Sequence, residues 1–212
     1  MKASRLLSLG ILLVAALPLT GCKIVPIATE AEAPAVGFDA TAYAEGLWSD
    51  QALPHFEENA RPAAEVLPAL ATNFEAATEN YGYRPGEGSP WSFIVTGEGV
   101  VSAKNTESRA GTMEVAVDGG AQPVAAVLQI GPVLRGNAVR DALPFVSFKD
   151  FTNQLEYANA GKALTALALG SFSGNVDALA VGDRVRFTGA ISVSKAGDAP
   201  VITPVLLEKV AP

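Results

Sequence analysis

The sequence predicts an α+β fold, in which a helical segment precedes a five-stranded sheet that carries a helical insertion. Three observations predict it. Apolar residues between Phe38 and Tyr83 recur at helical spacing. From Trp91 onward they alternate, which is the period of a half-buried strand. The first of these strands is long and carries Gly97 and Gly99 on its apolar face, where glycine permits a sharp bend or a bulge.

Asp39 is placed to N-cap a helix through Tyr43, Leu47 and Trp48. The run Gln51 to Asn59 continues it, and Pro54 marks a bend or restart. Arg61-Pro62 opens a further helical segment, in which Val66, Leu67, Leu70 and Phe74 share a face. Tyr81 to Gly86 ends the helical part, and a loop follows to Pro90. The first strand runs from about Ser92 to Ala103, with Phe93, Val95 and Val101 on one side. Met113, Val115 and Val117 mark the second, and Asp118-Gly119-Gly120 is a hairpin turn. Val124, Ala126, Leu128 and Ile130 mark the third, which Gly131-Pro132 stops.

Residues 137–169 read as helical again. Ser147 to Asp150 has the form of a capping box, with aspartate in place of the usual glutamate. Phe148, Phe151 and Leu155 supply the expected apolar stripe, and Asn159-Ala160-Gly161 is an expected interruption. Val185, Phe187, Ile191 and Val193 then alternate, with Gly189 on the same face. The last strand spans Val201 to Val210, and Pro204 puts it at an edge or a bulge. Three strands, a helical insertion at about 135–170 and two strands give the element order of an OB-like barrel. A generic α+β sheet is the competing arrangement.

The N-terminus has a different character. Lys2 and Arg5 form a basic start, and Leu6 to Leu17 an apolar run too short for a membrane span. Leu19-Thr20-Gly21-Cys22 then has the pattern of a bacterial lipobox. The Cys22 thiol is the expected acceptor of a diacylglyceryl group, with cleavage just before it. The expected organisation is a leader over 1–21, a lipid-anchored tether over 22–37, a helical subdomain over 38–86 and an OB-like domain over 87–212. The expected location is the periplasmic face of a bacterial membrane, the outer one favoured because Lys23, not aspartate, follows the cysteine.

Composition narrows the chemistry. The formal charge is −7, and about −9 once Lys2 and Arg5 leave with the leader. Such acidity argues against nucleic acid as a partner, since phosphate binding rests on clustered Lys and Arg. The chain has one histidine and one cysteine, too few for the usual zinc site, and no metal or cofactor is expected. His55, in Leu53-Pro54-His55-Phe56, lacks a nucleophile-elbow motif anywhere in the chain and reads as a packing residue. Asp141 and Glu156 could serve as the acid and base of an envelope glycosidase if the fold brought them close. Pairing of Asp141 with Arg135 or Arg140 is the plainer reading.

The stretch Gln129 to Tyr157 is the most unusual. Arg135, Arg140, Asp141, Asn153, Gln154 and Tyr157 lie among closely spaced apolar residues. Arginine forks and amides suit sugar hydroxyls or a carboxylate, and tyrosine offers a stacking face. Arg109, in the loop after the first strand, belongs with them, because that loop often meets the ligand in OB barrels. These residues are the candidate ligand contacts; mutual hydrogen bonding is the alternative. Arg184 and Arg186 read as surface positions.

The segments Gly21-Cys22-Lys23-Ile24-Val25, Arg109-Ala110-Gly111-Thr112 and QIGPVLRGNAVRDALPFVSFKDFTNQLEYA together resemble a family of predicted bacterial periplasmic lipoproteins of unknown function (the DUF2291 type). The resemblance covers essentially the whole mature chain. It implies an OB-like domain with a small helical domain and a role beside sugar import, with carbohydrate or a transporter's solute-binding protein as partner. It supplies no activity and no catalytic residues. A lipid-anchored binding or accessory protein is therefore expected, with an envelope hydrolase or a purely structural lipoprotein as alternatives.

Overall fold

The computed structural model describes residues 37–119 and 122–210. The leader, Cys22 and the tether as far as residue 36 lie outside the described residues, as does Gly120 of the expected hairpin turn.

Asp39 caps α1 (Ala40–Leu47), its carboxylate accepting from the Thr41 and Ala42 amides at 3.0 Å. A π-helical turn, Trp48–Ala52, leads into α2 (Leu53–Asn59), whose first turn holds Pro54. Proline has no N–H to give to the preceding turn, so the restart falls at its tolerated place. Arg61 and Pro62 do not begin the next helix. They form a two-residue strand, β1, beside Val95 and Thr96 of β2 (Trp91–Asn105). α3 (Ala63–Thr72) buries Val66, Leu67 and Leu70, and α4 (Phe74–Tyr81) is capped by Asn73.

β2 is the organising strand. Its residues from Trp91 to Val100 pair antiparallel with β5 (Arg184–Val193), and those from Gly99 to Asn105 with β3 (Thr112–Val117). The strand changes partner at Gly99–Val100 and bulges between Val101 and Ala103, so it curls across both halves of the sheet. β3 pairs with β4 (Val124–Gln129), β4 runs parallel to the start of β6 (Val201–Lys209), and β6 pairs with β5. The β2–β5 pairing closes the five long strands into a barrel. Pro204 sits where the β5–β6 register shifts, the bulge position its missing N–H demands. The barrel interior holds Phe93, Val95, Val101, Met113, Val115, Val117, Leu128, Phe187 and Ile191, all essentially without solvent contact.

The insertion contains α5 (Ala138–Asp141), a capped 3₁₀ turn at Phe148–Asp150 and α6 (Gln154–Val176). The Ser147–Asp150 capping box forms as read. The apolar stripe of α6 differs from the expected one. Phe148 and Leu155 are exposed, and the buried series is Ala160, Leu164, Ala168, Phe172 and Val176. Nor does Asn159-Ala160-Gly161 break the helix. Gly161 is there for space: a Cβ would lie 2.9 Å from Asn137 Oδ1 and 3.2 Å from Arg140 Cδ. The helix also outlasts its expected end at Leu169. Ser171 Oγ donates to the Val205 carbonyl at 2.6 Å, and Asn175 Nδ2 to that of Leu207 at 3.2 Å. Side chains of a glycine- and serine-rich stretch thus tie it to β6, and tertiary bonds override poor local propensity.

Lys104, near the end of β2, finishes α6. Its ammonium donates to the Val176 and Leu179 carbonyls at 2.8 and 2.9 Å, supplying cations and donors where a helix C-terminus needs both. Lys104→Met keeps the stem and removes the donors. A loss of about 1–3 kcal/mol is expected in urea unfolding, since two part-buried carbonyls lose their partners.

Residues 37–210 lie in one compact unit, so the N-terminal helices pack on the barrel. α3 and α4 contribute to the core inside the barrel, while α1 and α2 join α5 and α6 in a second core against Ile94, Ala190 and Val205. On the exposed face Arg184 bonds Glu98 at 2.7 Å and also Asp118, and Arg186 bridges Glu98 and Glu208. The two guanidiniums hold the Glu98 carboxyl below the usual carboxylate range. All members are solvated, so the network is worth little to stability.

Candidate ligand-binding site

Three loops meet at one end of the barrel: the β2–β3 loop, the β5–β6 loop and the stretch after β4. Between them lies a pocket of about 340 Å³ whose lining includes Ala110, Thr112, Gln129, Arg135, Asn137 and Thr203. Its floor is a satisfied polar pair. Gln129 Nε2 donates to Thr203 Oγ1 at 2.9 Å and to the Arg135 carbonyl at 3.1 Å, and its Oε1 accepts from the Arg135 amide at 2.7 Å. A buried amide thus clamps the backbone of Arg135. The Arg135 side chain stays exposed and forms no ion pair among the described residues.

The two stretches singled out in the sequence meet here, backbone on backbone. Ile130 and Gly131 both donate to the Gly111 carbonyl, at 2.9 and 3.1 Å, and Val133 donates to that of Arg109 at 3.0 Å. Gly131 lies so close that a Cβ would overlap Gly111 N and Arg109 O. Asp198 stiffens the facing loop by accepting from the Ser194 and Lys195 amides at 2.9 and 3.1 Å. The mouth is therefore preformed, and Arg109, next in sequence to the lining residue Ala110, is exposed.

Arg140, Asp141 and Tyr157 form a separate group. Arg140 Nε and Nη2 both reach Asp141 Oδ1, at 2.9 and 2.6 Å, and the guanidinium lies 3.9 Å above the Tyr157 ring. The Arg140 side chain is only 11 % exposed and that of Asp141 18 %, so both are largely covered. Tyr157 also meets Phe148 and Phe151, and Phe151 meets Phe38 and Tyr43 edge to face. Burial pushes the Tyr157 hydroxyl above the usual phenol range; Arg140 opposes that shift, and Asp141 adds to it. Asn153 caps α6 by accepting from the Glu156 amide at 3.0 Å. The Glu156 carboxylate accepts from the Thr152 amide at 2.9 Å. Gln154 is exposed in the first turn.

The candidate residues thus fall into three places: Arg109 and Arg135 at the barrel mouth, Arg140, Asp141 and Tyr157 between α5 and α6, and Asn153 and Gln154 at the start of α6. Both carboxylates of the hydrolase alternative are engaged in structural bonds. His55 is engaged as well: Nε2 lies 3.2 Å from the Ala142 carbonyl and Nδ1 3.2 Å from Asn59 Nδ2, contacts that the Nε2–H tautomer satisfies together. Among the described residues no group of three or more His, Cys, Asp and Glu side chains could hold a metal ion, and no helix is long and apolar enough to cross a membrane. Sequence reading missed Gln129 and Thr203 as the floor. Their only early sign is a polar residue at the end of one apolar strand and within another.

The topology and the mouth define an OB-type barrel with an N-terminal helical layer. A solved OB-fold protein from Thermotoga maritima has the same fold, with a TM-score of 0.66 at 22% identity over 82% of this chain and 99% of that one. An OBody bound to hen egg-white lysozyme matches at a TM-score of 0.30, with 13% identity, 57% of this chain and 97% of that one, too low to carry an argument. No curated protein matches the chain. The chain belongs to the predicted periplasmic lipoprotein family DUF2291, whose model matches residues 12–208.

Proposed function

We propose that this lipoprotein is a non-enzymatic binding or accessory module, held by acyl chains on Cys22 at the periplasmic face of the outer membrane, whose barrel mouth takes a small carbohydrate. The observation that carries the reading is Arg135, an exposed lining residue without an ion pair among the described residues, beside a floor of amide and hydroxyl groups. A fixed fork of donors beside neutral polar groups suits vicinal hydroxyls, and a preformed concave site avoids the entropy of ordering loops on binding. The engagement of Asp141 and Glu156 by structural partners favours binding over hydrolysis. The family's implied place beside sugar import supports a carbohydrate as the ligand class.

Calorimetry of the detergent-solubilised full chain against a panel of monosaccharides tests the reading. Binding of at least one sugar is expected, and Arg135→Ala should weaken it about tenfold or more by removing a charge-assisted bond. The melting temperature should stay unchanged, because the backbone bonds to Gln129 persist. Heat absent across the whole panel contradicts the proposal. Heat seen only with a sugar importer's solute-binding protein would move the site's role to protein docking.

A further inference from the structure

A second pocket, of about 230 Å³, lies away from the mouth, where the start of β2 meets α2, β1, the end of α4 and the residue pair Ala142 and Pro144. Its lining includes Asn59, Arg61, Asn80, Tyr81, Tyr83 and Ser92, and no aspartate or glutamate. The amide nitrogens of Asn59 and Asn80 are spent on the His55 and Ala76 carbonyls at 2.9 and 2.7 Å, so the donors this wall keeps for a ligand are the Arg61 guanidinium and the tyrosine and serine hydroxyls.

The wall is built, not incidental. Arg61 is fixed by strand pairing with Val95, and Tyr83 and Ser92 exchange backbone hydrogen bonds at 2.9 and 2.7 Å. Asn59 is held on His55 through Nδ2, to the ring nitrogen at 3.2 Å and to the backbone carbonyl at 2.9 Å. His55 in turn is anchored on Ala142. Two features in this frame lack partners. Arg61 is exposed and forms no ion pair among the described residues. The Ser92 hydroxyl is buried, in a residue 2 % exposed, and has no hydrogen-bond partner among the described residues. An unmade bond of this kind carries a desolvation penalty that a bound acceptor relieves.

We infer that this pocket binds a small oxyanion, a carboxylate or phosphate group on a compact polar molecule, with Arg61 as its charged anchor and the tyrosine and serine hydroxyls as further donors. A guanidinium that can contact the group through two N–H bonds, beside an unpartnered buried hydroxyl, is an arrangement that suits such a group. The site is independent of the barrel mouth: the two pockets share no lining residue.

The test is calorimetry of the detergent-solubilised full chain with glucuronate, glucose 6-phosphate, inorganic phosphate and glucose. Glucuronate and glucose differ at one carbon, so their comparison isolates the carboxylate, and the two phosphates report the alternative source of the anion. At least one anion is expected to bind about tenfold or more tighter than glucose. Arg61→Gln should remove that advantage, Arg61→Lys should restore part of it, and Arg135→Ala should leave it intact. Equal binding of glucose and every anion, no anion binding, or anion binding indifferent to Arg61→Gln overturns the inference. So does loss of anion binding in Arg135→Ala, which would place the anion at the mouth. Failure of the sugar panel at the mouth leaves this result readable, because each variant touches one pocket only.

Discussion

Cys22→Ser is expected to abolish fatty-acid labelling of the chain. A serine hydroxyl lacks the thiolate nucleophile on which thioether formation depends, and cleavage before residue 22 follows acylation. The variant should therefore keep its leader and run as a heavier, unlabelled species in cells fed an alkyne-tagged fatty acid. The wild-type protein should take the label and partition into detergent. The difference is large because each buried methylene contributes about 0.8 kcal/mol and lasting attachment needs more than one chain. Label persisting on the serine variant would place the lipid elsewhere.

Gly131→Val should be the most destabilising single change at the candidate site. The Cβ position is already occupied by backbone atoms of the β2–β3 loop, Gly111 N and Arg109 O, which no rotamer change can move aside. Relief requires breaking the bonds from Ile130, Gly131 and Val133 that join the two loops. Overpacking commonly costs 1–3 kcal/mol, and with rigid backbone on both sides a loss of about 3 kcal/mol or more is expected. Thermal unfolding measures it. Sugar binding should fall along with stability, because the same bonds shape the mouth. A variant as stable as the parent would show that the loops do not touch in solution.

Much of the fold is legible in the sequence because strand alternation records burial directly. Val185, Phe187, Ile191 and Val193 have no other way to share a face, and each is buried. Asp39 and Ser147 carry their caps in local chemistry. The rest depends on partners distant in sequence. The last turns of α6 look like a loop until Ser171 and Asn175 meet β6, and Gly161 looks like a break until Arg140 packs beside it. β1 is two residues long and exists only through its pairing with β2.

The candidate site follows the same rule. The position of Arg109 and Arg135 in loops was legible, since each lies just beyond an alternating strand. Gln129 and Thr203 were not, being 74 residues apart and joined only by the closed barrel. Arg140 and Tyr157 have the residue types of a sugar site, but stacking on each other leaves them little surface for a ligand.

The barrel mouth can be tested most directly by recording amide shifts of the isotope-labelled full chain as the sugar selected by calorimetry is added. Shifts are expected to concentrate at Ala110, Thr112, Gln129, Arg135 and Asn137, rising with the calorimetric saturation curve. Saturating sugar that leaves these amides unmoved, or moves only residues remote from the mouth, would contradict the assignment.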